Sequence, residues 1–430
     1  MFSRTRSSRL PPHTPASLQP FLDRQGTVIL DGGFGTALGA ESEKHALWGA
    51  QHLFSLEGHN RLLDIHRTFL EAGSDVICSG SYQVSFEILS AACTFTDGTL
   101  PGGNITLEKN QLRYSNDVLR TSVELAKKAR DDFWTATSSG SSVGRLRPLV
   151  AASVGPAGDN VALWTGTTDP TTAVYDLPDE VVSLYYRRKL LALCRAKPDL
   201  LALETLPGLR EARLALSALS DVALELAKLS IAVPPVWVSL ICTSETATAA
   251  GDDLGRVVAA LSEEEAVVAV GVNCVAPSHV EPLLKVAKAH LSPGTLLLAY
   301  PNSGEVWDSR RERRCWHGVE GEAVLDGSHA LGMQRAGADG IGGCCRVTAE
   351  QIRTFREALV VTAAPEVGTK PTVQRGGGDA PRLPGDPMDA LPSAQGRPSW
   401  FSVGVVVCCI VGVAVCLPAS SNSKANRTPE

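Results

Sequence analysis

Gly340-Ile341-Gly342-Gly343-Cys344-Cys345 is the stretch whose reading decides the fold. A short, glycine-rich apolar run ends in two adjacent cysteines and precedes a helical pattern, as a strand does where the chain turns. Along a strand successive side chains alternate, so two adjacent thiols cannot both enter one face. Past the strand's end both sulfurs can converge on one point. A zinc ion gives them a reason to converge, since it takes thiolates at about 2.3 Å in a tetrahedron. Two thiolates do not complete such a site. Cys274, closing the apolar run Val270-Gly271-Val272-Asn273-Cys274, is the candidate third. The residues alone leave two other readings open: buried core cysteines, and a vicinal Cys344–Cys345 disulfide, which a reducing compartment disfavours. Cys78, Cys93, Cys194, Cys242 and Cys315 read as small core hydrophobes, and no C-x-x-C pair marks a structural zinc motif.

Outward from this stretch the chain repeats. Short apolar runs bounded by turn residues fall at Thr27–Asp31, Asp75–Ser79, Pro148–Ser153, Asp199–Glu204, Val236–Ile241, Val268–Cys274, Thr295–Tyr300 and Gly340–Gly343. Most are continuously apolar, the pattern of parallel strands buried on both faces. Helical patterns lie between and after them, at Arg61–Ala72, Leu112–Phe133, Glu180–Ala196, Leu209–Leu229, Leu254–Val267, Val280–His290, Glu322–Ala336 and Thr348–Val361. Eight strands, each followed by a helix, predict an α/β fold of the (β/α)₈ TIM-barrel type. A glycine-rich excursion at Thr94–Asn104 and a Ser/Gly run at Thr135–Arg145 read as insertions, the second as flexible.

In such barrels the active site lies at the carboxyl ends of the strands. Asp31 closes the first strand and Glu204 the fourth; Cys274 closes the sixth, and Cys344 and Cys345 follow the eighth. The second strand leads into Ser79-Gly80-Ser81-Tyr82-Gln83. Two carboxylates and three thiols are thus expected at one mouth. Singly, each acid has a plain alternative: Asp31 as a helix cap, Glu204 as the partner of a barrel lysine or arginine. His45, His52, His59 and His66 recur every seven residues, but Gly49 and Gly58 interrupt the helix that would align them, and the spacing reads as coincidence. Gly32-Gly33-Phe34-Gly35 lacks the spacing of a dinucleotide loop, and neither a Walker loop nor H-E-x-x-H occurs.

A net charge of −6 over 430 residues gives no electrostatic basis for nucleic-acid binding. Residues 1–20 carry arginines, serines and prolines without the apolar core of a secretory signal, and read as a disordered arm before a barrel at 21–362. Residues 363–399 read as a flexible Pro/Gly linker, and 400–418 as a transmembrane anchor, with Phe401–Leu417 free of charge between Arg397 and Lys424. A polar tail, 419–430, follows. This arrangement predicts a barrel facing the cytosol and tethered to a membrane by its tail, with Cys408, Cys409 and Cys416 kept from metal binding.

Seven segments together resemble the homocysteine-binding barrel of homocysteine S-methyltransferases. They are Ile29-Leu30-Asp31-Gly32-Gly33, Ser79-Gly80-Ser81-Tyr82-Gln83, Ser153-Val154-Gly155-Pro156 and Leu203-Glu204-Thr205-Leu206-Pro207, then Gly271-Val272-Asn273-Cys274, Tyr300-Pro301-Asn302-Ser303-Gly304-Glu305 and Ile341-Gly342-Gly343-Cys344-Cys345. The match runs in order from about Thr27 to Val361, and its subgroup is the S-methylmethionine or S-adenosylmethionine type rather than the betaine type. The resemblance implies one Zn²⁺ held by Cys274, Cys344 and Cys345, with the homocysteine sulfur as fourth ligand. It further implies methyl transfer from a sulfonium to that sulfur, giving methionine, with Asp31 and Glu204 on the substrate ammonium. Gly32 and Gly33 are then expected to offer backbone N–H groups to the substrate carboxylate, and Tyr82 an aromatic face to the sulfonium, with Trp164 and Trp307 as weaker candidates. Two alternatives stand beside this. The homocysteine module of a cobalamin-type methionine synthase would need further domains, for which the chain after Val361 is expected to have no room. A catalytically idle, membrane-tethered zinc-thiolate protein would have no use for Asp31 and Glu204.

Overall fold

The computed structural model describes residues 18–39, 49–89, 111–138, 145–158, 177–308, 315–317 and 325–360. The expected insertion at 94–104, the linker, the apolar tail, Cys93 and Trp164 lie outside these residues. Eight parallel strands make the barrel: β1 (Val28–Ile29), β2 (Val76–Cys78), β3 (Leu149–Val154), β4 (Leu200–Leu206), β5 (Val236–Leu240), β6 (Val267–Asn273), β7 (Leu296–Tyr300) and β10 (Gly340–Ile341). Their order is β1-β10-β7-β6-β5-β4-β3-β2. A single parallel bridge between Leu30 and Val76 brings the two ends of that order together. Each expected strand is present, and the barrel is nearly closed.

The helices that cover it are α3 (Leu56–Ala72), α4 (Gln111–Ser138), α5 (Asp179–Arg195), α6 (Leu209–Ala227), α7 (Leu254–Ser262), α8 (Pro277–His290), α9 (Gly327–Arg335) and α10 (Ala349–Leu359). Several of their starts follow from side-chain caps: Ser55 accepts from the Gly58 amide, Asp253 from Arg256, and Thr348 forms a capping box with Gln351. Two short helices were not foreseen, α1 (Gln19–Gln25) and α2 (Phe34–Ala37). Leu18, at the N-cap of α1, and Phe21 within it are buried with the strand-start residues Val28, Leu200 and Leu296, so this helix covers the amino-terminal end of the barrel. The expected arm therefore gives way to packed chain by Leu18 rather than at residue 21. An antiparallel hairpin, β8 (Val306–Asp308) with β9 (Cys315–His317), follows β7 and was also unforeseen.

Three expected boundaries move for physical reasons. Helix α7 ends at Ser262 instead of Val267, because Val267 already belongs to β6 and no glycine or proline separates the two apolar patterns. Helix α9 starts at Gly327, not Glu322, where Asp326 accepts from the Ser328 and His329 amides. Helix α4 continues to Ser138, into the run read as flexible. At the far end of that run Arg145 is anchored: it donates to the Leu70 carbonyl at 2.7 Å and to the Ser74 carbonyl, and stacks on Phe133.

The strands' alternation divides the core. Ile77, Val150, Leu201, Leu203, Val238 and Leu297 face the helices, whereas Val28, Val76, Ala151, Leu200, Ala202, Trp237, Leu296 and Leu298 fill the barrel. Carried forward along each strand, the inward phase turns from apolar to polar. Two residues on from Val76 is Cys78, from Ala151 Ser153, from Ala202 Glu204, from Trp237 Ser239, and from Leu298 Tyr300. The carboxyl end of the barrel is therefore floored by groups that can hydrogen-bond. No helix among the described residues is long and apolar enough to cross a membrane.

Candidate metal and substrate site

One cavity opens above this polar layer, and Asp31, Glu204, Tyr82, Cys274, Cys344 and Cys345 all line it. Gly32 and Gly33 line it as well. The sulfur atoms of Cys274, Cys344 and Cys345 all lie within 4.8 Å of one another, and theirs is the sole such cluster of potential metal ligands among the described residues. Cys345 Sγ stands 3.8 Å from Cys274 Sγ and 4.0 Å from Cys344 Sγ. Around zinc, tetrahedral thiolates at about 2.3 Å put neighbouring sulfurs about 3.8 Å apart. Cys274 and Cys344 are joined as a disulfide, with Cα atoms 5.5 Å apart, so the bridge is not the vicinal one. The three sulfurs, once reduced, are the soft donor set that zinc takes, with Cys274 and Cys345 buried and Cys344 partly so.

Backbone geometry at the strand ends produces this convergence. Cys274 has φ 53° and Arg346 φ 66°, in the left-handed region that non-glycine residues seldom occupy. The turn at Cys274 is stapled by the residue before it. Asn273 Oδ1 accepts from the Thr205 amide at 2.9 Å, and Nδ2 donates to Thr205 Oγ1 at 2.8 Å. Nδ2 also lies 3.9 Å from Cys344 Sγ, where it can stabilise a thiolate. The paired cysteines are held from behind. Arg346 makes a two-pronged ion pair with Glu305, at 2.8 and 3.0 Å, and the Ser303 amide donates to the Cys345 carbonyl at 3.1 Å.

The two acids are buried, and among the described residues neither forms an ion pair. Asp31 Oδ2 accepts from the Cys78 amide at 2.7 Å. Burial lifts its carboxyl to about 7, with the Glu204 charge adding to the rise and the Cys78 amide opposing it. Glu204 is also raised by burial, against hydroxyl donors from Ser153 and Tyr300 and the charge of Lys189. Tyr300 is in turn fixed by Trp237 Nε1 at 3.2 Å and by Ser239. Two neighbouring carboxylates with no ion-paired cation among the described residues make a site for one.

Some expectations change. The Gly33 amide donates to the Val347 carbonyl at 2.9 Å, so it is not available to a carboxylate. Gly33 is needed instead because a Cβ there would stand 2.6 Å from the Cys344 carbonyl oxygen. Cys78, read as a core residue, lines the cavity and faces both acids. Cys194 and Cys242 are buried thiols pushed up to about 12, as inert core cysteines are. Of Trp307 and Cys315 the structure gives the backbone, in β8 and β9. Among the described residues the histidine repeat assembles no site: His59 bonds the Leu53 carbonyl, while His66 is buried against the Phe34 ring. Sequence reasoning missed Ser153, Tyr300, Asn273 and the Glu305–Arg346 pair. For Ser153 and Tyr300, the available signal was a polar residue continuing the inward phase at a strand's end.

Comparison with known proteins agrees with this geometry. A family model described as homocysteine S-methyltransferase matches residues 28–359. The chain is 34% identical over 339 residues to homocysteine S-methyltransferase 1 of Zea mays, covering 78% of this chain and 94% of that protein. It is 32% identical over 351 residues to a selenocysteine Se-methyltransferase of Brassica oleracea var. italica, covering 78% and 89%. Among solved structures it is similar to the homocysteine methyltransferase MmuM of Escherichia coli in its metallated form. There the TM-score is 0.59 and the identity 27%, over 79% of this chain and 99% of that one.

Proposed function

The chain belongs to the homocysteine S-methyltransferase family, and we propose that it transfers a methyl group from S-methylmethionine or S-adenosylmethionine to L-homocysteine, giving methionine. The observation that carries this reading is one cavity in which three cysteine sulfurs converge beside two buried carboxylates that form no ion pair among the described residues. Cys274, Cys344 and Cys345 would hold zinc, which when bound supplies the charge that keeps a thiol deprotonated near neutral pH. Asp31 and Glu204 take the homocysteine ammonium, which is the cation their burial calls for. With that end fixed, the side chain of a short amino acid points its sulfur toward the cysteines. Ser153 and Tyr300 hold Glu204 in place, and the Cys78 amide does the same for Asp31.

The Tyr82 ring, on the cavity wall, offers a face to the sulfonium. Transfer breaks the donor's S–CH₃ bond as the new one forms on the homocysteine sulfur. A sulfonium and a thiolate become two neutral thioethers. The thiol proton has already left, so no side chain has to take it during transfer, and none of the polar floor need be a base. A reducing, cytosolic setting suits three free thiols. The test is turnover by the full-length protein with homocysteine and, separately, S-methylmethionine, S-adenosylmethionine and betaine. Methionine is expected from a sulfonium and little from betaine. Turnover with betaine alone would overturn the choice of donor, and none with any donor would overturn the function.

A further inference from the structure

Besides its charge on Glu204, one buried cation makes contacts that the chemistry above does not use. Lys189, in α5, is 1% exposed. A buried ammonium must be compensated, and here hydrogen bonds do so. Its Nζ donates to the Tyr82 carbonyl at 2.6 Å and to Tyr185 Oη at 3.0 Å, and lies 5.3 Å from the centre of the Tyr185 ring. The Tyr185 hydroxyl passes its own proton on, donating to the Gly155 carbonyl at 2.8 Å. Gly155 in turn lies under the Tyr82 ring. A Cβ on that glycine would stand 2.8 Å from Cζ and 2.9 Å from both Cε atoms, so the glycine occupies one ring face and leaves no space for a side chain.

Two paths thus run from one ammonium to one aromatic ring. The direct path fixes the backbone of residue 82; the other, through Tyr185, fixes the surface on which the ring rests. Tyr82 belongs to the turn after β2. That turn is tied to β3 by Ser81, whose hydroxyl donates to the Ser153 carbonyl at 2.7 Å. None of these contacts reaches the cysteines, so they act on the Tyr82 side of the cavity.

We propose that Lys189 is a positioning residue for the methyl donor, clamping the Tyr82 carbonyl and, through Tyr185 and Gly155, the Tyr82 ring that faces the sulfonium. This rests on the sulfonium reading above. A cation over an aromatic face contributes about 0.5–2 kcal/mol, so misplacing the ring costs about two- to thirtyfold in kcat/KM for the donor.

The experiment is a double-mutant cycle in the full-length, zinc-loaded protein, with S-methylmethionine and S-adenosylmethionine as donors. Lys189→Met and Tyr82→Leu are made singly and together. Tyr185→Phe, which keeps the shape and removes the bridging hydroxyl, is run through the same cycle and decides the matter if Lys189→Met does not fold. The expected result is a loss in donor kcat/KM for Lys189→Met and a smaller one for Tyr185→Phe. Both losses should vanish, to within about twofold, once Tyr82 is leucine. A merely structural lysine would act regardless of residue 82, so losses that multiply in the double variants overturn the proposal. So does a Lys189→Met enzyme with unchanged donor kinetics. A wild-type enzyme that transfers no methyl from either sulfonium overturns the reading beneath it, and the proposal falls with it.

Discussion

Replacing Asp31 by asparagine should make the substrate-free protein more stable and the enzyme worse at binding. Burial lifts the Asp31 carboxyl from an ordinary 3.8 to about 7. A folded-state pKa above the unfolded one means that the folded chain holds the proton more tightly. The associated stability is fully present below about pH 4, declines as the unfolded chain ionises first, and is gone above about pH 7. The shift is about three units at about 1.36 kcal/mol each, so an ionised Asp31 costs folding on the order of 4 kcal/mol at pH 8. At pH 5 the cost is only about 1–2 kcal/mol. Asparagine does not titrate, yet it keeps an oxygen to accept the Cys78 amide. Urea denaturation of the reduced, metal-free protein should therefore show Asp31→Asn more stable than wild type at pH 8, with the gain shrinking toward pH 5. Binding should move the other way. A charge-assisted hydrogen bond contributes about 1.5–3 kcal/mol, so affinity should fall on the order of ten- to hundredfold. Calorimetry with 2-aminobutyrate, which has the ammonium but no thiol, isolates that loss from any metal contribution. A variant that is destabilised equally at both pH values, or that binds 2-aminobutyrate as well as wild type does, would refute the reasoning.

Two further outcomes are expected. The double variant Cys344→Ser, Cys345→Ser should lose most of its zinc and its activity together, read by metal analysis of the purified protein; full zinc occupancy in that variant would sink the ligand assignment. If the apolar stretch 401–417, which lies outside the described residues, is a membrane anchor, full-length protein should sediment with membranes while a chain ending at Val361 stays in the supernatant.

The architecture was legible because its signals are local. Each strand is a short apolar run cut off by turn residues, and each amphipathic helix follows at a distance the chain itself displays. The groups that line the cavity were legible for a related reason: they lie where a run ends. Asp31, Glu204 and Cys274 stand at the final position of an apolar segment, and the pair Cys344-Cys345 breaks a rule of alternation that no strand can evade. Boundaries were lost where two apolar patterns abut without a glycine or proline, as at Ser262 to Val267, or where a side-chain cap decides the start, as at Asp326.

What stayed hidden depends on which face a residue turns and on who sits opposite. Ser153 and Ser239 look like ordinary small residues within their runs until the barrel closes and the inward phase becomes a floor. Lys189 occupies a helix whose neighbours Arg187 and Arg188 pair with Glu225 and Glu87, and nothing in the sequence sets the third basic residue apart. Its difference is one of placement. The helix turns Lys189 toward the β2 turn, where a backbone carbonyl and a tyrosine hydroxyl meet its charge. The same holds for Glu204, which the sequence allowed to pair with a barrel lysine or arginine. The cation nearest to doing so, Lys189, spends its hydrogen bonds on Tyr82 and Tyr185 while its charge still favours the ionised acid. Glu204, raised by burial, thus has no bonded cation among the described residues, and a buried carboxylate in that position is one that the ammonium of a substrate can satisfy.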